Sequence, residues 1–263
     1  MSQAAQTSRP LSTPPPLPAP ALKAGPWERA TPNALTGARI ILAVAFFAVL
    51  TPFTYRQSPL ASGTGPDWWL LLAAAIFVVA AITDALDGYL ARRWNAETTF
   101  GRIMDPFADK LLVIGAFIFL AGPGFTHTGG SILHAPFRPD LPENVSGSVT
   151  GVQAWMVAVI LGRELLVTSI RGEAEGRGIR FGSIASGKWK MILQSVCIPA
   201  VLVLMNVPGG VGSGTAGEGE SRRPGEWATW AILGLVYSTV LVTAWSGVPY
   251  ITKAMRAFRK TQS

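Results

Sequence analysis

Six apolar runs, each near the ~20 residues that a helix needs to cross a bilayer, set the limits on what this chain can become. They fall at about 34–52, 67–93, 101–122, 152–171, 187–206 and 227–252. Within lipid every backbone polar group must be satisfied internally, so spanning segments are helices or strands of a closed barrel. Runs of this length read as helices. The expected fold class is an all-α integral membrane protein, a six-transmembrane-helix bundle. Composition agrees, because only 14% of the residues are charged, against roughly 25% in soluble domains. A solvated enzyme surface, a coiled coil, a collagen and a disulfide scaffold are excluded. Cys197 is the single cysteine and reads as a small hydrophobe in an apolar run.

The connections sort by charge. Fifteen Lys and Arg lie in the N-terminal tail, the 92–102 turn, the 171–190 loop and the end after 252, while four lie in the other three loops. Cytoplasmic loops carry the positive excess, so both termini are expected in the cytoplasm, as an even number of spans requires. The net charge of +7 then belongs to a membrane surface, and no nucleic-acid partner is expected. The tail, residues 1–25, holds Pro10, Pro14, Pro15, Pro16, Pro18 and Pro20 with small polar residues between them, and is expected to be disordered. The remaining 26–263 form the expected six-helix membrane domain. Tryptophans near several segment ends suit interfacial anchors. His127, His134 and the Asn144-Val145-Ser146 sequon fall in an outer loop, where a surface role is expected.

Four carboxylates stand out at membrane depth, where charges are costly and functional by default. Asp84 and Asp87 end the second segment; Asp105 and Asp109 begin the third. Spacings of three and four put each pair on one helix face, and a short turn makes the two helices antiparallel neighbours. Four converging carboxylates repel one another unless cations compensate. An oxygen-only donor set suits Mg²⁺ or Mn²⁺, and four carboxylates can hold two ions, the arrangement that clamps a transferring phosphoryl group. Gly88, Ala91 and Gly101 lie four residues from Asp84, Asp87 and Asp105 and leave the helix faces beside them bare. Small residues also let membrane helices pack, which accounts for the glycines but not for the acids.

The full string, Asp84-x-x-Asp87-Gly88-x-x-Ala91-Arg92, eight residues, Gly101-x-x-x-Asp105-x-x-x-Asp109, resembles the signature of the CDP-alcohol phosphotransferase family at every defined position. The resemblance implies a membrane-embedded, six-helix enzyme, often dimeric, that moves a phosphatidyl or similar group from a CDP-linked donor to an alcohol and releases CMP. It implies that Asp84, Asp87, Asp105 and Asp109 are metal ligands, with Asp109 also the general base. It places Asp84, Gly88, Ala91, Arg92 and Gly101 at the CDP-donor site. Such chemistry belongs at the cytoplasmic face of a cell membrane, where the diacylglycerol tails stay in lipid.

Two further segments bear on the acceptor. Thr31-Pro32-Asn33-Ala34-Leu35-Thr36-Gly37-Ala38-Arg39 is similar to the opening motif of the phosphatidylglycerophosphate synthase branch of the family, although Thr31 with Pro32 also suits an ordinary helix start. Gly162-Arg163-Glu164-Leu165-Leu166-Val167-Thr168-Ser169-Ile170-Arg171 and Gly187-Lys188-Trp189-Lys190 resemble two more segments of that branch, with Met191 where it commonly has Thr. Arg163 and Arg171 are eight residues apart, a little over two helical turns. With Lys188 and Lys190 they form an expected acceptor-phosphate site, since arginines offer bidentate contacts to phosphate. An ion pair of Arg163 with Glu164 and the ordinary cytoplasmic charge bias are the alternatives for these cations. Lys110 either contacts phosphate or balances the acids. The expected substrates are CDP-diacylglycerol and sn-glycerol 3-phosphate. Inositol phosphate or phosphatidylglycerol as acceptor, and an ion transporter using membrane carboxylates, are the other readings.

Overall fold

The computed structural model describes residues 26–58, 60, 65–94, 99–127, 147–177, 185–207 and 224–262. The Pro-rich tail, His134 and the sequon lie outside them. Six long helices occupy the described residues: α1 (Pro26–Leu50), α2 (Trp68–Trp94), α3 (Thr99–Leu120), α4 (Ala154–Gly176), α5 (Ala185–Leu204) and α6 (Glu226–Gln262). Each coincides with one expected apolar run. A two-stranded antiparallel ribbon, β1 (Thr126–His127) with β2 (Gly147–Ser148), links the end of α3 to the approach to α4.

Among the described residues three stretches are long and apolar enough to cross a membrane: Trp68–Leu86, Gly187–Leu204 and Trp227–Arg256. The expectation of six therefore holds for helices and, by length and composition alone, for half of the spans. Among the described residues the apolar stretch of α1 is Ala34–Leu50 and that of α3 is Lys110–Leu120. In α4 the charged Arg163, Glu164 and Arg171 interrupt the run. The alternative of an ordinary helix start at Thr31 does not hold, since the helix begins at Pro26, where a missing N–H costs nothing, and Thr31 lies inside it.

Each helix buries a stripe at helical spacing. On α1 it is Thr36, Arg39, Ala43, Phe46 and Leu50; on α2 it is Leu70, Ala73, Ala74, Phe77 and Ala80. The outward faces are apolar as well, with Ile41, Val79, Ile82, Leu241 and Trp245 exposed. This two-sided apolarity suits a lipid solvent and explains why the sequence shows runs rather than stripes. The packing forms a closed circuit. Helix α1 lies between α2 and α3, α2 meets α5, α5 meets α6, α6 meets α4, and α4 returns to α3. Phe46 packs edge-on against Phe77 with centroids 5.6 Å apart, joining α1 to α2, and Phe47 stacks on Phe119 at 5.2 Å, joining α1 to α3. A Cβ on Gly115 would lie 2.4 Å from the Phe47 ring, so α1 and α3 need the glycine to approach this closely.

Helix ends sort to two sides. At one side Asp67 caps α2, accepting from the backbone N–H of Trp69 at 2.9 Å, while its own N–H donates to Asn206 Oδ1 beyond α5 at 2.7 Å. Thr150, just before α4, donates to the Leu120 carbonyl at the end of α3 at 2.7 Å. Gly225, just before α6, donates to the Val207 carbonyl at 3.3 Å. The opposite side gathers the start of α1, the end of α2, the start of α3, the end of α4, the start of α5 and the second half of α6. The polar residues of the candidate site are there.

Candidate active site

The acid half of the site rests on α1, α2 and α3. Asp84 lies four helical positions past the buried Ala80 of α2 by way of a half-exposed turn, and its side chain is 34% exposed. Arg39 of α1, only 1% exposed, reaches it with Nη1 2.6 Å from Oδ1. A buried guanidinium needs an anionic partner, and here it fixes the orientation of an expected metal ligand. Asp87, Gly88, Ala91 and Arg92 sit on α2, and Gly101, Asp105 and Asp109 on α3; their side chains lie outside the described residues. The donor set fits a hard divalent cation. Asp84 offers only oxygen, the donor type that a hard divalent cation takes, and one of its oxygens faces Arg39.

The basic half rests on α4, α5 and α6. Glu164 is a single buried carboxylate between two cations. It accepts from Arg163 Nη1 at 3.0 Å and from Lys190 Nζ of α5 in a close ion pair. The structure therefore brings Arg163 and Lys190 together, but it spends part of their charge on Glu164, the alternative left open for Arg163. Arg163 also donates from Nε to Ser246 Oγ of α6 at 3.0 Å. Its guanidinium lies over the Tyr250 ring, 5.7 Å from the centroid. Arg171 approaches the same ring at 5.9 Å and makes a long hydrogen bond, 3.5 Å, from Nη2 to the Tyr250 hydroxyl. So the two arginines share one aromatic neighbour. Lys188 is exposed.

Polar residues on α6 and α5 extend the cluster inward. Thr239, Thr243, Ser246 and Tyr250 are all buried and follow at intervals of four, three and four. Gln194 of α5 donates to Thr243 Oγ1 at 3.1 Å. Hydroxyls and amides satisfied across a helix boundary in this way hold membrane helices together.

One contact joins the halves. Lys110, the residue after Asp109, donates from Nζ to Thr168 Oγ1 of α4 at 2.7 Å. Of the two roles open for Lys110, the observed contact is a third, a tie to the helix that carries Arg163 and Arg171.

Sequence reasoning named Arg163, Arg171, Lys188 and Lys190 but missed Tyr250, Ser246, and the links of Arg39 to Asp84 and Lys110 to Thr168. A signal for Tyr250 was present. Hydroxyl residues at helical spacing within an apolar run mark one face of α6, and Tyr250 continues it.

Asp84 with Arg39, and the cations around Glu164 and Tyr250, lie at the same end of the helix bundle. The sequence profile of the CDP-alcohol phosphatidyltransferase family matches residues 29–245. The chain belongs to this family and is a membrane transferase of it. A Bacillus subtilis (strain 168) protein named CDP-diacylglycerol–glycerol-3-phosphate 3-phosphatidyltransferase is 35% identical over 178 residues, 67% of this chain and 78% of that protein. A protein of the same name from Cereibacter sphaeroides is 28% identical over 246 residues, 85% and 95% of the two chains. Another from Escherichia coli (strain K12) is 30% identical over 225 residues, 85% and 93%.

Proposed function

We propose that this protein transfers the phosphatidyl group of CDP-diacylglycerol to sn-glycerol 3-phosphate, giving phosphatidylglycerophosphate and CMP. The observation that carries the reading is the pairing of Arg163 and Arg171 around Tyr250 at the same end of the bundle as Asp84. Two guanidinium groups suit a phosphorylated acceptor, and the relatives' shared name supports glycerol 3-phosphate among such acceptors. The family signature supports the donor.

In this reading Asp84, Asp87, Asp105 and Asp109 hold two divalent ions, Mg²⁺ or Mn²⁺. When bound, these ions supply positive charge to the phosphoryl oxygens and to the departing CMP. Asp84, Gly88, Ala91, Arg92 and Gly101 receive the CDP moiety, the small residues leaving the backbone open to it. Arg163, Arg171, Lys188 and Lys190 orient the acceptor phosphate. Asp109 accepts the proton of the acceptor hydroxyl as its oxygen bonds to the β-phosphorus. The bond from that phosphorus to the bridging oxygen breaks, and the electron pair leaves with CMP. The catalytic domain is 26–263, with six spans, both termini in the cytoplasm, and the reaction at the cytoplasmic face of the cell membrane. The tail at 1–25 stays outside that domain. The family resemblance supports a homodimer.

The test is CMP release by the purified full chain in detergent. CDP-diacylglycerol and Mg²⁺ are supplied with glycerol 3-phosphate, inositol phosphate or phosphatidylglycerol in turn. Release with glycerol 3-phosphate alone is expected, and Asp109→Asn should lower the rate by about 10²–10⁴-fold, the usual share of a general base. Release with another acceptor only would keep the chemistry and change the substrate. No release with any acceptor or metal would overturn the reading in favour of transport.

A further inference from the structure

We infer that Tyr250 is a positioning residue for the acceptor phosphate, its ring holding the guanidinium groups of Arg163 and Arg171 where the anion is received. This rests on the acceptor-site reading above and deepens it, adding α6 to a site assigned so far to α4 and α5. Tyr250 lies beyond the span that the family profile matches.

The argument starts from how an arginine can be held in a low-dielectric site without losing its use. A carboxylate partner holds it firmly but cancels its charge and competes with an incoming phosphate. An aromatic face attracts the cation and leaves its full charge available. The structure contains both devices side by side. Glu164 takes Lys190 and one edge of Arg163. Tyr250 takes the face of Arg163 and of Arg171, and no carboxylate among the described residues pairs with Arg171. Arg163 is further fixed through Nε by Ser246, one helical turn before Tyr250 on the same face of α6. Arg171 is exposed to the incoming ligand, and its hydrogen bond to the Tyr250 hydroxyl fixes its direction. Long flexible side chains bind anions better when their rotamers are set in advance.

Tyr250 is itself set. It is 3% exposed, and its hydroxyl lies against Gly187, the first residue of the Gly-Lys-x-Lys segment. A Cβ at Gly187 would stand 3.2 Å from the hydroxyl oxygen. The glycine of that segment therefore has a local reason, which is to leave room for the tyrosine that orients the arginines.

The experiment uses the full chain in detergent, with sn-glycerol 3-phosphate and inorganic phosphate as probes. Kd is read by calorimetry without donor, and KM for both substrates by CMP release. Tyr250→Leu should raise the Kd and KM for glycerol 3-phosphate about tenfold and leave KM for CDP-diacylglycerol within about twofold. Tyr250→Phe keeps the ring and should restore most of the affinity. Gly187→Ala should weaken binding by about threefold, and adding Tyr250→Phe should relieve it, since the crowded hydroxyl is gone. A Tyr250→Leu protein that lowers kcat and shifts both KM values alike would overturn the inference. So would Gly187→Ala and Tyr250→Phe effects that simply add, and that pair decides the matter if Tyr250→Leu does not fold. Arg171→Ala runs alongside. If it leaves glycerol 3-phosphate binding unchanged, the acceptor-site reading fails; if it weakens binding while Tyr250→Leu does not, only the role of Tyr250 fails.

Discussion

Lys110 of α3 donates a 2.7 Å hydrogen bond to Thr168 of α4, and this contact ties the turn that carries Asp109 to the turn between Glu164 and Arg171. In the proposed reaction the base and the acceptor must be held at a fixed separation, and small misplacements are costly in rate. Lys110→Met and Thr168→Val should each lower kcat by about tenfold, the loss expected for one charge-assisted hydrogen bond. The double variant should be no worse than either single one. Steady-state CMP release measures this, and strictly additive losses would mean that the two residues act separately.

Arg39 predicts a metal phenotype. It holds one oxygen of Asp84 from a fully buried position. Partners of ligating groups typically contribute 10–100-fold to metal affinity or activity. Arg39→Lys should raise the Mg²⁺ concentration for half-maximal CMP release by about tenfold, because an ammonium cannot copy the guanidinium fork. A titration with unchanged midpoint and a lower plateau would assign Arg39 to folding instead.

Glu164 predicts a stability phenotype. Neutralising it leaves Arg163 and Lys190 facing each other without their shared anion. Removing one partner of a buried ion pair costs about 3–5 kcal/mol. Glu164→Gln should lower the thermal unfolding midpoint in detergent, and Lys190→Met added to it should recover much of the loss by removing one of the two stranded cations. If the single variant melts like the parent, solvent is screening the pair.

Much of the fold is legible in the chain because lipid makes its demands locally. A helix that must satisfy its own backbone announces itself as an apolar run, so all six helices can be located without any partner. Asp67 before Trp68 is readable as the cap that it is. The ends are harder. Helix α4 continues to Gly176, and the Glu173–Arg177 pair at 2.7 Å follows its last turn; α6 continues to Gln262. These extensions are polar, and hydropathy stops where they begin. The site divides in the same way. Carboxylate spacing within α2 and α3 is a local pattern and can be read. The partners of Arg39, Arg163 and Lys110 come from other helices, and no spacing along the chain encodes them. Tyr250 was hidden for a second reason. Within an apolar run a tyrosine looks like an interfacial anchor, and only the neighbouring helices reveal two guanidinium groups against it.

The circuit of helices separates the molecule by order of synthesis. The first three helices carry the acids, and the last three carry the cations around Tyr250. The seam between these halves is α2 against α5, and α3 against both α4 and α5. During translation the carboxylates of the first half emerge while Thr168, Arg163 and Lys190 are still unmade. The acid half therefore exists for a time with only its own cations, among them Arg39 against Asp84. Because Tyr250 belongs to the last helix, the proposed acceptor side is the last part to be assembled, and a ribosome that stalls before α6 leaves Arg163 and Arg171 without the ring they share.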